Sequence, residues 1–350
     1  MKKKIRVAQI GVGHDHAIAA MKSILAQKDI FDVAGVCVCE EEEARYEKNK
    51  AIYGQTERRS LEDILNDRSL DGVVIETWEK NLTRYAGMAV EKGLHFHMDK
   101  PGSVDPDAFQ NLMSKAKAKN LTAHLGYMYR YNPAFLEIKE KIKAGMLGEI
   151  YSVEAHMDCL HPANKRQWLD QFPGGMMFFL GCHLVDLIVQ LQGIPEEIMP
   201  YNCSTGFDGV TGEDFGMALF RYKHGISFAK TCAAEPGGFL RRQLVVCGEK
   251  GTIELKPIER YMRHADGTKD MMTDMAEIYK EEAEKGGWNH PADHKEIGPN
   301  NRYDTMMASF AAMVRGEKEN PQTYEYEVQL HRILLKACGV DIDFKKEIVL

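Results

Sequence analysis

Between residues 5 and 125, short apolar runs alternate with helical stretches, and few folds accept that rhythm. The apolar runs are Ile5 to Ile10, Val33 to Val38, Gly72 to Ile75, one ending at Lys100, and Leu121 to Leu125. Between them lie helical stretches at about 16–27, 41–53 with 61–66, 80–92 and 105–119. Strands joined through helices pair in parallel, because the chain must cross back over the sheet before it can pair again. A doubly wound parallel sheet is therefore expected.

After residue 126 the pattern changes. A helix from Pro133 to Ala144 leads into the alternating strand Ile150 to Met157, and a second helix follows Gly174-Gly175 and runs to Gln192. Strand-like runs then follow one another from 198 to 256, including Phe215 to Tyr222, Ile226 to Cys232, Gln243 to Cys247 and Thr252 to Leu255. The turns Lys223-His224-Gly225 and Glu249-Lys250-Gly251 suit antiparallel connections. Residues 258–300 are polar and read as a long irregular excursion; helices at 302–315 and 325–338 close the chain. The expectation is α/β: residues 1–125 as the parallel domain and 126–350 as an α+β domain on a mostly antiparallel sheet. A chain of 350 residues is long enough for two such cores.

With 44% hydrophobic and 28% charged residues, this is the composition of a globular protein. A net charge of −7 gives no reason to expect nucleic acid, and no run approaches a membrane span. Lys2-Lys3-Lys4 precede an apolar stretch broken by Arg6 and Gln9, so no secretory leader is expected. The eight cysteines show no C-x-x-C spacing and read as reduced thiols in a cytoplasmic protein.

Gly11-Val12-Gly13-His14-Asp15-His16 follows a strand and opens a helix, the context a glycine-rich phosphate turn requires. Gly11 permits the tight turn, and Gly13 lets a pyrophosphate approach the backbone and the helix N-terminus. Beyond the second strand, Glu40 is the nearest acid. If it reaches the adenosine ribose it would repel a 2′-phosphate and favour NAD over NADP. Alternatively it begins a solvated acidic helix.

The run Leu94 to Met98 alternates as a buried strand, and Pro101 ends it. Lys100 thus falls at the carboxyl edge of the sheet, where open α/β sheets bind ligands. Here the chain resembles the Gfo/Idh/MocA family of sugar and inositol oxidoreductases, whose Glu-Lys-Pro signature reads Asp99-Lys100-Pro101. The resemblance implies a nicotinamide-binding Rossmann domain and an NAD cofactor, with NADP possible. It also implies a sugar or polyol substrate and a homo-oligomer, dimer or tetramer. His14, His16, Thr77, Trp78 and Asp99 join Gly11, Val12, Gly13, Glu40 and Lys100 as expected cofactor contacts. The third glycine is replaced by His16, a variant seen in the family. Thr77 keeps the family's threonine after the third strand, whereas Trp78 and Leu82 replace its proline and histidine. Trp78 either lines the cofactor cleft or packs between loops.

The stretch Gly174 to Asp186 resembles the family's second signature, which ends His-x-x-Asp. His183 would take a hydroxyl proton, its imidazole being suited to the task near neutral pH. Lys100 would hydrogen-bond the same oxygen, so the two are expected to converge on it. Asp186, at i+3, would orient the ring or hold nearby backbone. Where the family carries its catalytic aspartate, four residues before the histidine, this chain has Phe179. His156, Asp158 and His161 are the candidates to compensate, by contacting substrate, by binding a metal with His183, or as ordinary polar packing; no metal is assigned. Tyr129 and Arg130, in the stretch joining the domains, read either as polyol contacts or as hinge packing. His290 and His294 read as loop residues. Two rival functions stand beside hydride transfer: a glycosidase acting through transient sugar oxidation with NAD, and a non-catalytic dinucleotide-binding regulator.

Overall fold

The computed structural model describes residues 3–258, 261–263, 269–280 and 292–350, with side chains outside 259–300. It divides into two compact units, residues 1–128 with 302–331 and 345–350, and residues 129–301 with 332–344.

In the first unit, β1 (Ile5–Ile10) leads through the glycine turn into α1 (Ala17–Ala26), β2 (Phe31–Cys37), α2 (Glu43–Lys48), α3 (Lys50–Tyr53) and α4 (Leu61–Asn66). There follow β3 (Gly72–Ile75), α5 (Leu82–Glu91), β4 (His95–Met98), α6 (Pro106–Ala118) and β5 (Ala123–Leu125). The five strands are parallel in the order β2-β1-β3-β4-β5. Order reverses between β1 and β3, so a crevice opens at their carboxyl ends. All four residues of β3 are buried, as both faces of a helix-covered sheet demand. Asp105 caps α6 by accepting from the N–H groups of Asp107 and Ala108, with Pro106 at the first helical position.

The second unit begins with a short turn, Met128–Tyr131, whose first residue groups with the other unit. It continues with α7 (Pro133–Lys143), β6 (Ile150–Asp158) and α8 (Ala163–Trp168). A π-helical turn, Met177–Gly181, runs into α9 (Cys182–Gln192). Then come β7 (Glu197–Pro200), β8 (Phe215–Arg221), β9 (Ile226–Cys232), β10 (Gln243–Gly248) and β11 (Gly251–Leu255). The sheet is antiparallel except for the β6–β9 pair. Val153, Ala155 and Met157 are buried along β6, with α9 packed on that strand and on β9.

Two expectations change. The excursion at 258–300 contains β12 (Tyr261–Arg263), β13 (Lys269–Lys280) and β14 (Ala292–Asn300). β13 adds to the open edge of β11, with Ile253 opposite Ile278, so backbone pairing rather than side-chain alternation makes the strand. His294 accordingly lies in β14 opposite Glu277 rather than in a loop, and His290 is outside the described residues. The second change concerns α10 (Arg302–Val314) and much of α11 (Tyr324–Ala337), expected in the second domain, which group with the first unit. The cause is specific bonding: Ser23 Oγ donates to Asp304 at 2.6 Å, Asn320 to the Ala123 carbonyl at 2.9 Å, and Tyr324 Oη to the Leu121 carbonyl at 2.7 Å. Among the described residues no helix is long and apolar enough to cross a membrane.

Candidate functional site

The carboxyl edge of the parallel sheet gathers nearly every residue expected to hold a cofactor. Gly11 adopts φ +90°, and a Cβ there would lie 2.6 Å from the Thr77 backbone, so only glycine lets β1 turn this close to the end of β3. A cavity of about 610 Å3 opens at the end of β2, lined by Cys37, Val38, Glu40, Arg58, Ser60 and Tyr85. Glu40 is exposed there. The acid that reaches the glycine turn is Glu42, which the sequence did not single out. Its carboxylate accepts from the Val12 N–H at 2.7 Å and from Thr77 Oγ1 at 2.6 Å.

Lys100 is 1% exposed at the end of β4, and its N–H donates to Asp99 Oδ1 at 2.6 Å. The peptide bond to Pro101 is cis. Around it lies a buried polar cluster. His16 Nδ1 is 3.0 Å from Asp99 Oδ2, and His14 Nδ1 accepts from the His16 N–H at 3.2 Å. Glu76, fully buried at the end of β3, faces His14 and His97 at 3.9 and 3.6 Å. Burial pushes the Glu76 carboxyl well above the usual range, with the Asp99 charge adding to the effect. Burial opposes the Asp99 charge too, but the His14 and His16 imidazoles and the Lys100 ammonium outweigh it and hold Asp99 well below the ordinary range. Of the two carboxyls, Asp99 is the one whose charge the site favours. Atoms of His14, His16 and Asp99 lie within 4.8 Å of one another, a spacing that could hold a metal ion. These same atoms already bond among themselves, so no metal is assigned.

Burial lowers His14, His16 and His97 from the ordinary imidazole value, with the Asp99 charge working against it, and His97 falls to about 4. His97 and His124 share one N–H between Nδ1 atoms 2.7 Å apart, and a second proton would set two donors against each other. A histidine whose folded pKa lies below its unfolded value near 6.5 binds fewer protons folded than unfolded. Its stability contribution is intact above 6.5 and is lost as pH falls through about 4. For His97 alone that is about 3 kcal/mol. Melting temperature should be flat above pH 6.5 and begin to fall below it, before most carboxylates titrate. His97→Asn should flatten the upper part of that fall; a wild-type profile level down to pH 4.5 would refute the assignment.

In the second unit, consecutive residues grip two positions of α9. The Tyr129 ring meets His183 edge-on, centroids 5.0 Å apart. Arg130 donates to Asp186 from Nε at 3.0–3.1 Å and from Nη2 at 2.9 Å, and Gln190 adds a bond at 2.9 Å. Tyr129 Oη accepts from Arg242 at 3.0 Å, a buried arginine that sequence reasoning missed because it is 113 residues away. Arg130 and Asp186 are buried and bound to each other: the pair fits hinge packing for Arg130, and Asp186 meets the guanidinium rather than the His183 ring.

For His156 and Asp158 the surroundings match the polar-packing alternative. β6 alternates, and with Val153, Ala155 and Met157 turned toward α9, the even positions face away from it and from His183. Asp158 pairs with Lys230 at 2.9 Å, and Lys230 with Glu235 at 2.6 Å, a polar network on the opposite face. His161 does come to the Phe179 side, with ring centroids 6.3 Å apart, where Trp168 also meets Phe179 at 5.7 Å and Lys165 Nζ lies 4.5 Å from its ring.

Two family models match this chain: the oxidoreductase family, NAD-binding Rossmann fold, over residues 5–127, and the GFO/IDH/MocA C-terminal domain over 135–254. The chain belongs to the GFO/IDH/MocA family. Among its curated relatives is the uncharacterized oxidoreductase YhhX of Escherichia coli, 32% identical over 196 residues, 55% of either chain. The match thus spans about half of that relative's length. Another is the scyllo-inositol 2-dehydrogenase (NADP(+)) IolW of Bacillus subtilis, 24% identical over 140 residues, 39% of either chain. The fold matches levoglucosan dehydrogenase, solved with NADH and levoglucosan, at TM-score 0.78 and 17% identity over 96% of both chains.

The GFO/IDH/MocA first domain binds NAD, and the residues here fit it: a glycine turn that tolerates no Cβ at Gly11, opening at the switch point beside a cavity at the end of β2. Against the family's second signature, Phe179 is 5% exposed and packs with Leu169, Met176 and Ala233. A phenyl ring there neither accepts a hydroxyl nor raises the basicity of His183.

Proposed function

We propose that this chain is an NAD(H)-dependent oxidoreductase of a secondary alcohol on a sugar, inositol or related cyclic polyol. The observation that carries the reading is the buried Lys100 ammonium at the ligand-binding end of β4, held beside Asp99, whose charge the site favours. Bound NAD would supply the hydride acceptor. In this reading Lys100 hydrogen-bonds the substrate oxygen and stabilises the charge that develops on it, where low dielectric makes a fixed cation most effective. His183 takes the hydroxyl proton, with Tyr129 fixing the ring. His161 lies close to Phe179 and serves as a contact for substrate hydroxyls. The names of IolW and levoglucosan dehydrogenase support this substrate class. All eight cysteines are free, in keeping with a cytoplasmic setting, and a homo-oligomer is expected as in the family.

The test is a screen of polyols, keto-sugars and glycosides with each nicotinamide cofactor, following NAD(P)H absorbance. Glu40 lines the cavity at the end of β2 and would oppose a 2′-phosphate. NADH should therefore be preferred to NADPH, and Glu40→Gln should narrow that preference. An unchanged ratio of kcat/KM for the two cofactors would remove Glu40 from the ribose site. One observation favours a second reading, a dinucleotide-binding regulator: Phe179 stands where the family has its catalytic aspartate. Tight NADH binding with no turnover across the screen would select it.

A further inference from the structure

The glycine turn carries its own anion. Glu42 is fully buried, and each of its oxygens holds two donors. Oε2 accepts from Val12 N–H at 2.7 Å and Cys39 N–H at 3.2 Å; Oε1 accepts from Thr77 Oγ1 at 2.6 Å and Trp78 N–H at 3.3 Å. A carboxylate offers about four acceptor sites, so none is left for a ribose hydroxyl. The donors come from the turns after β1, β2 and β3, the three edges that flank the switch point.

The surface of Gly13 is covered as well. A Cβ on Gly13 would lie 2.5 Å from Glu42 Oε1 and 3.0 Å from Trp78 Cδ2. Gly13 is the position whose missing side chain lets a pyrophosphate approach the backbone. Trp78 is held from the outer side by Arg45, its guanidinium 4.8 Å from the ring, and Arg45 is paired with Asp15 at 2.8 Å. The face of Gly13 is covered by a carboxylate and an indole, and the Val12 N–H of the glycine turn is engaged by Glu42.

We propose that Glu42 and Trp78 form a built-in plug of the pyrophosphate site: the Glu42 carboxylate stands in for the phosphate, and NAD(H) binds only after both groups swing out. This rests on the NAD(H) reading for its biological meaning, but the competition itself concerns any diphosphate. A protein that spends most of its time plugged binds ligand more weakly by the unplugged fraction. Glu42→Gln keeps the size but turns half of the acceptor set into a donor facing donors, and Trp78→Ala uncovers Gly13.

The experiment titrates NADH against the wild type, Glu42→Gln and Trp78→Ala, using tryptophan fluorescence. Melting temperature with and without inorganic pyrophosphate is measured in parallel. The expected result is an NADH dissociation constant lower by about tenfold or more in both variants, from relief of the plugged population. Pyrophosphate should also stabilise the variants more than the wild type. Thr77→Val, which removes one donor from Glu42 and leaves the fold's backbone bonds intact, should shift affinity the same way and serves if Glu42→Gln does not fold. Weaker or unchanged NADH binding in the folded variants overturns the plug, weaker binding marking Glu42 as a cofactor ligand instead. If no protein binds NADH but pyrophosphate stabilises the variants selectively, the plug stands and the NAD(H) reading fails.

Discussion

Lys100→Met should lower kcat by about 100- to 1000-fold on whichever polyol the wild type turns over, the range seen when a single preorganised donor to a developing oxyanion is removed. Methionine is close to lysine in length and apolar bulk, so the side chain still fills its place at the end of β4, where Lys100 is 1% exposed. What disappears is the positive charge. Lys100 also favours the Asp99 charge, and the Lys100 backbone N–H donates to the Asp99 carboxylate, a bond the substitution preserves. The turn leading to Pro101 should therefore survive, and NADH affinity should change far less than kcat. The measurement pairs steady-state rates with NADH titration on the same preparation. Turnover within tenfold of wild type would mean that another group stabilises the oxygen, and the proposed chemistry would have to be abandoned.

How far the sequence could be read depended on whether a property is local. β3 at Gly72–Ile75 and β9 at Ile226–Cys232 have the expected bounds, because each is a compact apolar or alternating run between turns. The glycine turn was legible for the same reason: six neighbouring residues carry it. The identity of the acid beside the turn was not. Glu40 and Glu42 lie in one run of four glutamates, and only the donors from Val12, Cys39, Thr77 and Trp78, on three separate turns, decide which is buried. The direction of His156 was hidden likewise. Alternation along β6 shows that 156 and 158 share a face, but only the packing of α9 says which face is the outer one. The strands at 261–300 were missed because β13 is defined by the edge it joins. Helix α10 was recognised as a helix but placed in the wrong unit, since helical periodicity does not name the surface that the apolar stripe will meet.

The partner of Asp186 is the sharpest case, and it leads to the second large effect. In sequence, Asp186 stands at i+3 from His183 and reads as a residue serving that ring; in the fold, Arg130 reaches it across 56 residues with a forked set of bonds at 2.9–3.1 Å. Both side chains are almost wholly out of water, at 4% and 1% exposure. Removing one partner of such a pair leaves a buried charge without compensation, which costs about 3–5 kcal/mol. Asp186→Ala should therefore lower the melting temperature of the second unit by roughly 6–20 °C, at the few degrees per kcal/mol typical of units this size. A substrate ligand would behave differently, raising KM with little change in melting temperature. The double variant Arg130→Met with Asp186→Leu separates charge from packing. Replacing a buried ion pair by apolar side chains of similar volume is commonly neutral or better, so stability should return toward wild type. Arg130 and Tyr129 are consecutive, so the ion pair also holds the turn that sets Tyr129 against His183. Loss of the fork in Asp186→Ala should then depress kcat, through a looser imidazole, more than it raises KM. A variant that keeps its melting temperature while KM climbs would return Asp186 to the substrate and remove the clamp on α9.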